Sequence, residues 1–499
     1  KEDFKNQFKK ISKDRFENDP EEMEVTVDMI EDISETDAAK ICAEQYDEIP
    51  SREEIITQMK KMRDSAPGQD GVRLSYLMSA GQEIMEKLVN MVQYMFQNGA
   101  EKWEESLKVG LVIPLFKKGD RNNANNFRGV VLLAMGSRIV ARIAADRIRI
   151  WAEEMKLLDD DQSGFRKGRS TADVTQMMFK IQEDTTDLIK RARASGIEID
   201  EGELPAARLL DLKKAYPRVN KPMLWKILRK YGIGERLLRV IMDLHETTKY
   251  MVKSREGLSE AWTNERGLRE GCPSSPPLFN IFHQASMRIA AKARKRKAEE
   301  TGLEVGISYR WVPGSAFPNV SRWETSLNSE AKRVRIDKGL FADDTTITGK
   351  KKELEQGVNE IKRVMNTFEE RNNDDKEEHL DFGKEDSGKI RMLGCYMKEE
   401  DDTKQRIKRA GLAWVKVKSR LKGSKLNKKM QARVIEAVVE STLLFDCQTR
   451  TLQVLEIKKL QSTMDKMYRY TWSNKTKPPL IQMQEEGRNM QDVRNKLGV

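Results

Sequence analysis

The chain is 499 residues long, 38% apolar and 34% charged, with a net charge of +11 and only 14 prolines, which reads as globular rather than disordered and allows more than one folding unit. Four cysteines without paired spacing (Cys42, Cys272, Cys395, Cys447) and three histidines support neither a disulfide framework nor a zinc knuckle. No apolar run approaches the ~18 residues of a membrane span, and the start, Lys-Glu-Asp-Phe, is neither a signal peptide nor an initiator methionine, so the sequence reads as an intracellular piece of a longer protein with no membrane partner.

Charge is unevenly placed. Residues 1–60 hold 9 Lys/Arg against 18 Asp/Glu, leaving 82 against 62 for the rest. The first 50 residues read as acidic and irregular, ending near Pro50. Ser51 then caps a helix over Ile55 to Arg63. After helical sequence to about Trp103, Val109-Gly-Leu-Val-Ile-Pro114 and Val130-Val-Leu-Leu133 read as strands around a polar loop, Lys117 to Asn126. Helices follow around Ile139 to Trp151 and Asp173 to Ala194, separated by the loop Ser163 to Arg169. The apolar run Ala206 to Leu210 delivers Asp211 at a strand end. Arg333 to Phe341 and Thr345 to Thr348 are β-prone runs around Ala342-Asp-Asp344, a hairpin with two carboxylates at its tip. From Lys404 to Lys477 helical sequence carries 19 Lys/Arg against 5 Asp/Glu, a basic module suited to nucleic-acid phosphates.

Adjacent aspartates occur also at Asp159-Asp160, Asp374-Asp375 and Asp401-Asp402, in polar surroundings. Asp343-Asp344 differs in being bracketed by apolar and β-branched residues. A hairpin-tip pair facing a strand-end acid is a metal-site geometry, because Mg²⁺ takes a few carboxylates and completes its shell with water and phosphates. Two such ions ~3.5 to 4 Å apart stabilise the attacking and leaving oxygens of an in-line displacement. Asp211 could instead cap a helix starting at Lys213.

The order of the motifs over roughly residues 50 to 475 resembles the reverse transcriptases of non-LTR (LINE-type) retrotransposons. Ala66-Pro-Gly-Gln-Asp-Gly-Val72 looks like the family's opening loop, and Ile113-Pro-Leu-Phe-Lys-Lys-Gly-Asp120 with Asn126-Phe-Arg-Gly-Val-Val131 resembles its fingers segment. Gln162-Ser-Gly-Phe-Arg-Lys-Gly-Arg-Ser-Thr171 is typical of the LINE branch. Leu210-Asp-Leu-Lys-Lys-Ala-Tyr216 and Phe341-Ala-Asp-Asp344 match the two catalytic motifs, and Arg269-Glu-Gly-Cys-Pro-Ser-Ser-Pro-Pro-Leu-Phe279 the template-side motif. Met392-Leu-Gly394 resembles the primer-side turn and Leu443-Leu-Phe-Asp-Cys-Gln-Thr449 a thumb segment.

The resemblance implies an α+β right-hand polymerase: an acidic N-terminal extension (1–50), fingers and part of the palm (51–205), a palm with antiparallel sheet, helices and catalytic motifs (206–403), a basic helical thumb (404–477) and a tail (478–499). It makes Asp211, Asp343 and Asp344 the ligands of two Mg²⁺, with Mn²⁺ as an alternative, and offers the Leu212 carbonyl as a further ligand. Tyr216 becomes the gate against a ribose 2′-OH, Lys117 and Arg128 the triphosphate binders, and Gly271 and Lys376 further nucleotide contacts. Arg269, Pro273, Leu393 and Gly394 would meet template or primer. The expected partners are an RNA template, a DNA primer and dNTPs, and the expected place of work is the nucleus, at the site of integration.

Three positions depart from the family pattern. Pro217 stands where a second aspartate commonly follows the gate, Glu270 where glutamine is usual, and Gly129 where proline is usual. Glu270 would repel a triphosphate unless Arg266 or Arg269 neutralised it. The long separation of Asp211 from Asp343 leaves room for an insertion around Arg294 to Glu330. The rival readings are an RNA-dependent RNA polymerase or intron maturase, against which Tyr216 and Gly164-Phe-Arg-Lys-Gly168 argue, and a catalytically silent nucleic-acid-binding derivative. Nothing in the sequence resembles an endonuclease.

Overall fold

The computed structural model describes residues 1–13, 26–303, 305–311, 332–384, 390–397, 399–421, 423–449, 452–473, 480, 482–483, 486 and 488–498. Most of the expected insertion, 312–331, lies outside the described residues, as do 474–477 of the basic module. Helices and sheets are mixed along the chain, the α+β class expected. The chain forms two compact units, one of Lys1–Gly168, Arg208–Ile307 and Arg335–Glu377, the other of Arg169–Ala207, Ser308–Val334 and Glu378–Val499.

In the first unit the opening residues are not irregular. Helix α1 (Glu2–Lys13) carries Phe4 and Phe8 one turn apart, and Phe4 meets the ring of Phe127 edge-on at 4.8 Å. Phe4, Phe8 and Ile11 fall at helical spacing, and this stripe is what makes the segment helical against its acidic surroundings. A second helix over Asp37–Asp47 starts at Thr36, whose side chain accepts from Ala39 N. Ser51 caps Arg52–Lys61 as expected, accepting from Glu54 N at 3.2 Å.

Strand β1 (Val109–Phe116) pairs antiparallel with β2 (Phe127–Leu133), from Gly110 opposite Leu133 to Phe116 opposite Phe127. Helix α2 (Met135–Glu154) presents Ile139, Val140 and Ile143, all fully buried, to the core shared with Ile55, Met59, Val92 and Phe96. Strand β3 (Pro205–Asp211) ends on Asp211. Strand β4 (Lys249–Ser254) runs parallel to β1, with Val109 opposite Lys249. Helix α3 (Ser275–Thr301) begins with prolines in its first turn and stops at Gly302 (φ 71°), in agreement with N-terminal proline and C-terminal glycine preferences. Strands β5 (Lys338–Phe341) and β6 (Asp344–Lys350) form the expected hairpin, with Phe341 opposite Asp344, and β6 lies between β5 and β3. Helix α4 (Lys351–Thr367) follows at once.

In the second unit the helix Thr171–Ala194 opens with a Ser170/Asp173 capping box. A two-stranded hairpin, β7 (Arg391–Met392) and β8 (Cys395–Tyr396), precedes helix α5 (Glu399–Leu421). Helical turns then run from Lys428 to Leu443, the middle five residues, Glu436–Glu440, in π conformation. Helix α6 (Val454–Trp472) closes a core of Val417, Leu421, Ile435, Leu443, Leu460, Met464 and Trp472. No helix among the described residues is long and apolar enough to cross a membrane.

Candidate active site

The hairpin between β5 and β6 turns through Ala342 and Asp343. Ala342 takes a left-handed φ of 58°, a conformation that persists in a non-glycine residue only where the surroundings hold it. What holds it is Gln162: its Oε1 accepts from Ala342 N at 3.1 Å and from Gly164 N at 2.8 Å. Ser163 N donates to Leu340 O at 2.8 Å, and Leu340 N to Asp161 O at the same distance, so the loop acts as one more strand beside β5. A Cβ on Gly164 would stand 2.2 Å from Ala342 N, which is why the contact requires glycine there. Sequence reasoning assigned no role to Gln162. Its signal was present in the Gln162-Ser-Gly-Phe motif but not separable from the rest of it.

Asp211 ends β3, and the helix after it runs only over Ala215–Arg218 with Lys214 at its cap position, so Asp211 is not a helix cap. Its Oδ2 accepts from Asn373 Nδ2 at 3.2 Å and pairs closely with the Lys376 ammonium. Asp344 reaches solvent, yet its carboxyl is pushed up to about 6, first by loss of hydration among its neighbours and then by the negative charges of Asp343 and Asp211, with Lys376 opposing. Asp344 therefore feels the charge of both other aspartates. Among the described residues no three Asp, Glu, His or Cys side chains close around a single point as placed. Carboxylates whose mutual repulsion is only partly relieved fit a hard cation, and Mg²⁺ bound by one or two of them would complete its shell with nucleotide phosphates and water.

A cavity of about 840 Å³ brings most of the expected residues together: Asp211, Leu212, Lys117, Arg128, Tyr216, Gly271, Asp343 and Lys376 all line it. Tyr216 stacks on Phe279, centroids 5.1 Å apart, and Phe279 stacks on the buried His283. Burial first, and then the charges of Asp343 and Glu270, raise the phenol of Tyr216 well above its ordinary range, so its ring is neutral. Gly271 (φ 104°) lies against β2; a Cβ would come within 2.9 Å of Val131 O.

Arg128 Nε lies 3.1 Å from Glu270 Oε2, an ion pair without hydrogen-bond alignment, since that oxygen accepts no hydrogen bond. The partner of Glu270 is thus neither Arg266 nor Arg269. Arg266 is engaged with Glu369. Arg269 also borders the cavity, but only 3% of it is exposed, and its guanidinium donates to Thr248 Oγ1 at 2.9 Å and to Cys272 Sγ at 3.4 Å. It is spent on shaping its own loop. Pro273 is half-buried and does not line the cavity. Leu393 and Gly394 belong to the second unit. The wall also includes Phe8 and Ile11 of α1, from the stretch that reads in sequence as an acidic, irregular extension.

The family model for reverse transcriptase (RNA-dependent DNA polymerase) matches residues 116–397. The chain belongs to the reverse transcriptase family. This reverse transcriptase matches curated relatives that are proteins of a transposon and of a retrotransposable element. It is 26% identical over 218 residues, 44% of its length, to the transposon TX1 uncharacterized 149 kDa protein of Xenopus laevis. It is 26% identical over 293 residues, 58% of its length, to the retrovirus-related Pol polyprotein from type-1 retrotransposable element R2 of Nasonia vitripennis. The matched regions span 15% and 26% of those two relatives. Among solved structures, telomerase from Candida albicans in complex with a telomeric RNA fragment aligns at TM-score 0.39 and 10% identity, covering 78% of the reverse transcriptase and 62% of the telomerase chain.

Proposed function

We propose that this chain is the RNA-copying part of a retrotransposon protein, extending a DNA primer on an RNA template with dNTPs, in the nucleus where the target DNA lies. The observation that carries the reading is the single cavity in which Asp211 and Asp343 meet Lys117, Arg128 and Tyr216. Asp211, Asp343 and the Leu212 carbonyl in that cavity, with Asp344 next to Asp343 on the hairpin, would hold two Mg²⁺, which when bound would stabilise the attacking and leaving oxygens of the displacement. Lys117 and Arg128 take the triphosphate, Tyr216 occupies the space a 2′-OH would need, and Gly271 lets backbone approach the nascent pair. Lys376, which in the free protein neutralises Asp211, moves to the leaving pyrophosphate. Leu393 and Gly394 lie at the primer, and Pro273 stiffens the template-side loop that Arg269 braces from within. The basic residues from Lys404 onward bind duplex phosphates.

Primer extension on an RNA template, with dNTPs and NTPs offered separately, is the test. Mg²⁺-dependent addition of dNTPs alone is expected. Addition of NTPs at comparable efficiency would turn the reading toward an RNA polymerase, and duplex binding without extension toward a silent derivative.

Glu270 gives a finer test. Its carboxylate holds Arg128 away from full engagement with an incoming phosphate, so Glu270→Gln should lower the KM for dNTP roughly threefold to tenfold at low salt. The gain should shrink at high ionic strength, because screening weakens the pair. It should vanish in an Arg128→Ala background, since the two residues share one interaction. An equal gain with and without Arg128 would mean that Glu270 acts on the triphosphate directly.

A further inference from the structure

The turn that presents Asp343 and Asp344 is bound to a segment far from it in sequence. Gln162 lies opposite Leu340 in a parallel bridge to β5, and its side chain is fully buried. Both hydrogen bonds of its Oε1 go to backbone, one from Ala342 N at 3.1 Å and one from Gly164 N at 2.8 Å. Gly164 O in turn accepts from Asn280 Nδ2 at 2.5 Å. Asn280 stands in the second turn of α3 and is 1% exposed. Hydrogen bonds thus run from α3 through Gly164 and Gln162 to the tip of the hairpin. Two ion pairs fasten the base of the same hairpin, Lys338 of β5 to Asp161 and Arg294 of α3 to Asp337.

Ala342 is the part of the turn that needs holding. Its φ of 58° is a conformation that L-residues rarely adopt unless their surroundings impose it. Asp343 follows it directly, so a relaxation of Ala342 would re-aim the neighbouring carboxylate. The charges of Asp343 and Asp211 both bear on Asp344, and like charges brought together add to what must be held. Gln162 does not line the cavity. Its influence on anything bound there passes through the turn.

We infer that Gln162 is a positioning residue of the metal site: its Oε1 keeps Ala342 in the left-handed turn that presents Asp343 and Asp344, and Asn280 keeps the loop of Gln162 in place. The inference rests on reading those aspartates as metal ligands of the proposed polymerase. Positioning acts on the geometry of attack, whereas affinity for duplex comes mainly from phosphate contacts.

The experiment compares wild type with Gln162→Leu, and with Gln162→Leu combined with Ala342→Gly. Leucine removes the accepting oxygen, and kcat for dNTP addition should fall roughly tenfold to a hundredfold. The KM for dNTP and the dissociation constant for primer–template should stay within about twofold of wild type. Glycine takes a positive φ without a brace, so the double variant should recover most of kcat, a coupling expected only if the two residues act through one turn. Binding of Mn²⁺ alone, followed by electron paramagnetic resonance, needs no extension: Gln162→Leu should weaken it several-fold and Ala342→Gly should restore it. Should Gln162→Leu fail to fold, Asn280→Ala removes the support one step further out and should show a smaller loss of the same kind. Wild-type kcat and Mn²⁺ affinity in the leucine form would overturn the inference, as would a loss that Ala342→Gly does not repair. If wild type extends nothing yet binds Mn²⁺, the proposed function fails while the Mn²⁺ affinities still judge the brace. A wild type that does neither would overturn both.

Discussion

Asp343→Asn is expected to reduce primer extension by at least about a thousandfold, about 4 kcal/mol in barrier, while duplex binding should stay within about threefold. The size follows from where the residue sits. Asp343 is at the tip of a two-residue turn whose backbone is pinned by Gln162, so a side chain of the same shape will occupy the same place. Only the charge is lost. An amide is a poor ligand for a hard cation compared with a carboxylate, and the electrostatic stabilisation such an ion gives to a phosphoryl displacement is worth several kcal/mol. The variant should fold at least as well as the parent, because Asp343 is one of the charges that push Asp344 up to about 6. Circular dichroism melting and duplex-binding isotherms on the same preparation separate this outcome from misfolding. An extension rate above about a tenth of wild type, a cost under ~1.4 kcal/mol, would remove Asp343 from the metal site.

Tyr216→Ala should lower the preference for dNTPs over NTPs, as a ratio of kcat/KM values, by roughly 10- to 100-fold. The ring lines the cavity beside Asp343 and is held from behind by the stack on Phe279, so it cannot easily swing away from a ribose hydroxyl. Its hydroxyl contributes nothing by ionising, since burial keeps the phenol neutral. Tyr216→Phe should therefore retain the discrimination that the alanine form loses. The gain in NTP use should appear in kcat/KM for NTPs, with the dNTP value changed far less. If the ratio is the same in wild type and Tyr216→Ala, the ring is a packing element behind the strand and another group excludes ribonucleotides.

The placement of the three aspartates was legible because local pattern and motif agreed: an apolar run delivers Asp211 at a strand end, and two β-prone runs place Asp343 and Asp344 at a hairpin. Glycines whose role is close approach, Gly164 and Gly271, were legible as members of motifs, though not in what they approach. Contacts between distant segments were illegible. The brace of Gln162 on Ala342, the pairing of Glu270 with Arg128 and the turning inward of Arg269 are set by tertiary packing, and a charged residue in a motif gives no sign of whether its charge faces a ligand or a neighbour. The helices Glu2–Lys13 and Asp37–Asp47 were illegible for a related reason: the acidity of the first 50 residues reads as irregular chain, yet three apolar side chains at helical spacing are enough to dock α1.

That docking ties two remote positions to one another in evolution. A Cβ at Gly129 would come within 3.0 Å of Phe8 Cζ and 2.9 Å of Val112 Cγ1. Strand β2 lies at the edge of its sheet, where backbone pairing tolerates proline, so the ring of Phe8, together with Val112, stands against the larger residue usual at this place. Lineages that carry proline here should have a small residue, or no helix, where Phe8 stands. Those that keep the aromatic should keep the glycine, and the two sites should covary even though neither belongs to the chemistry.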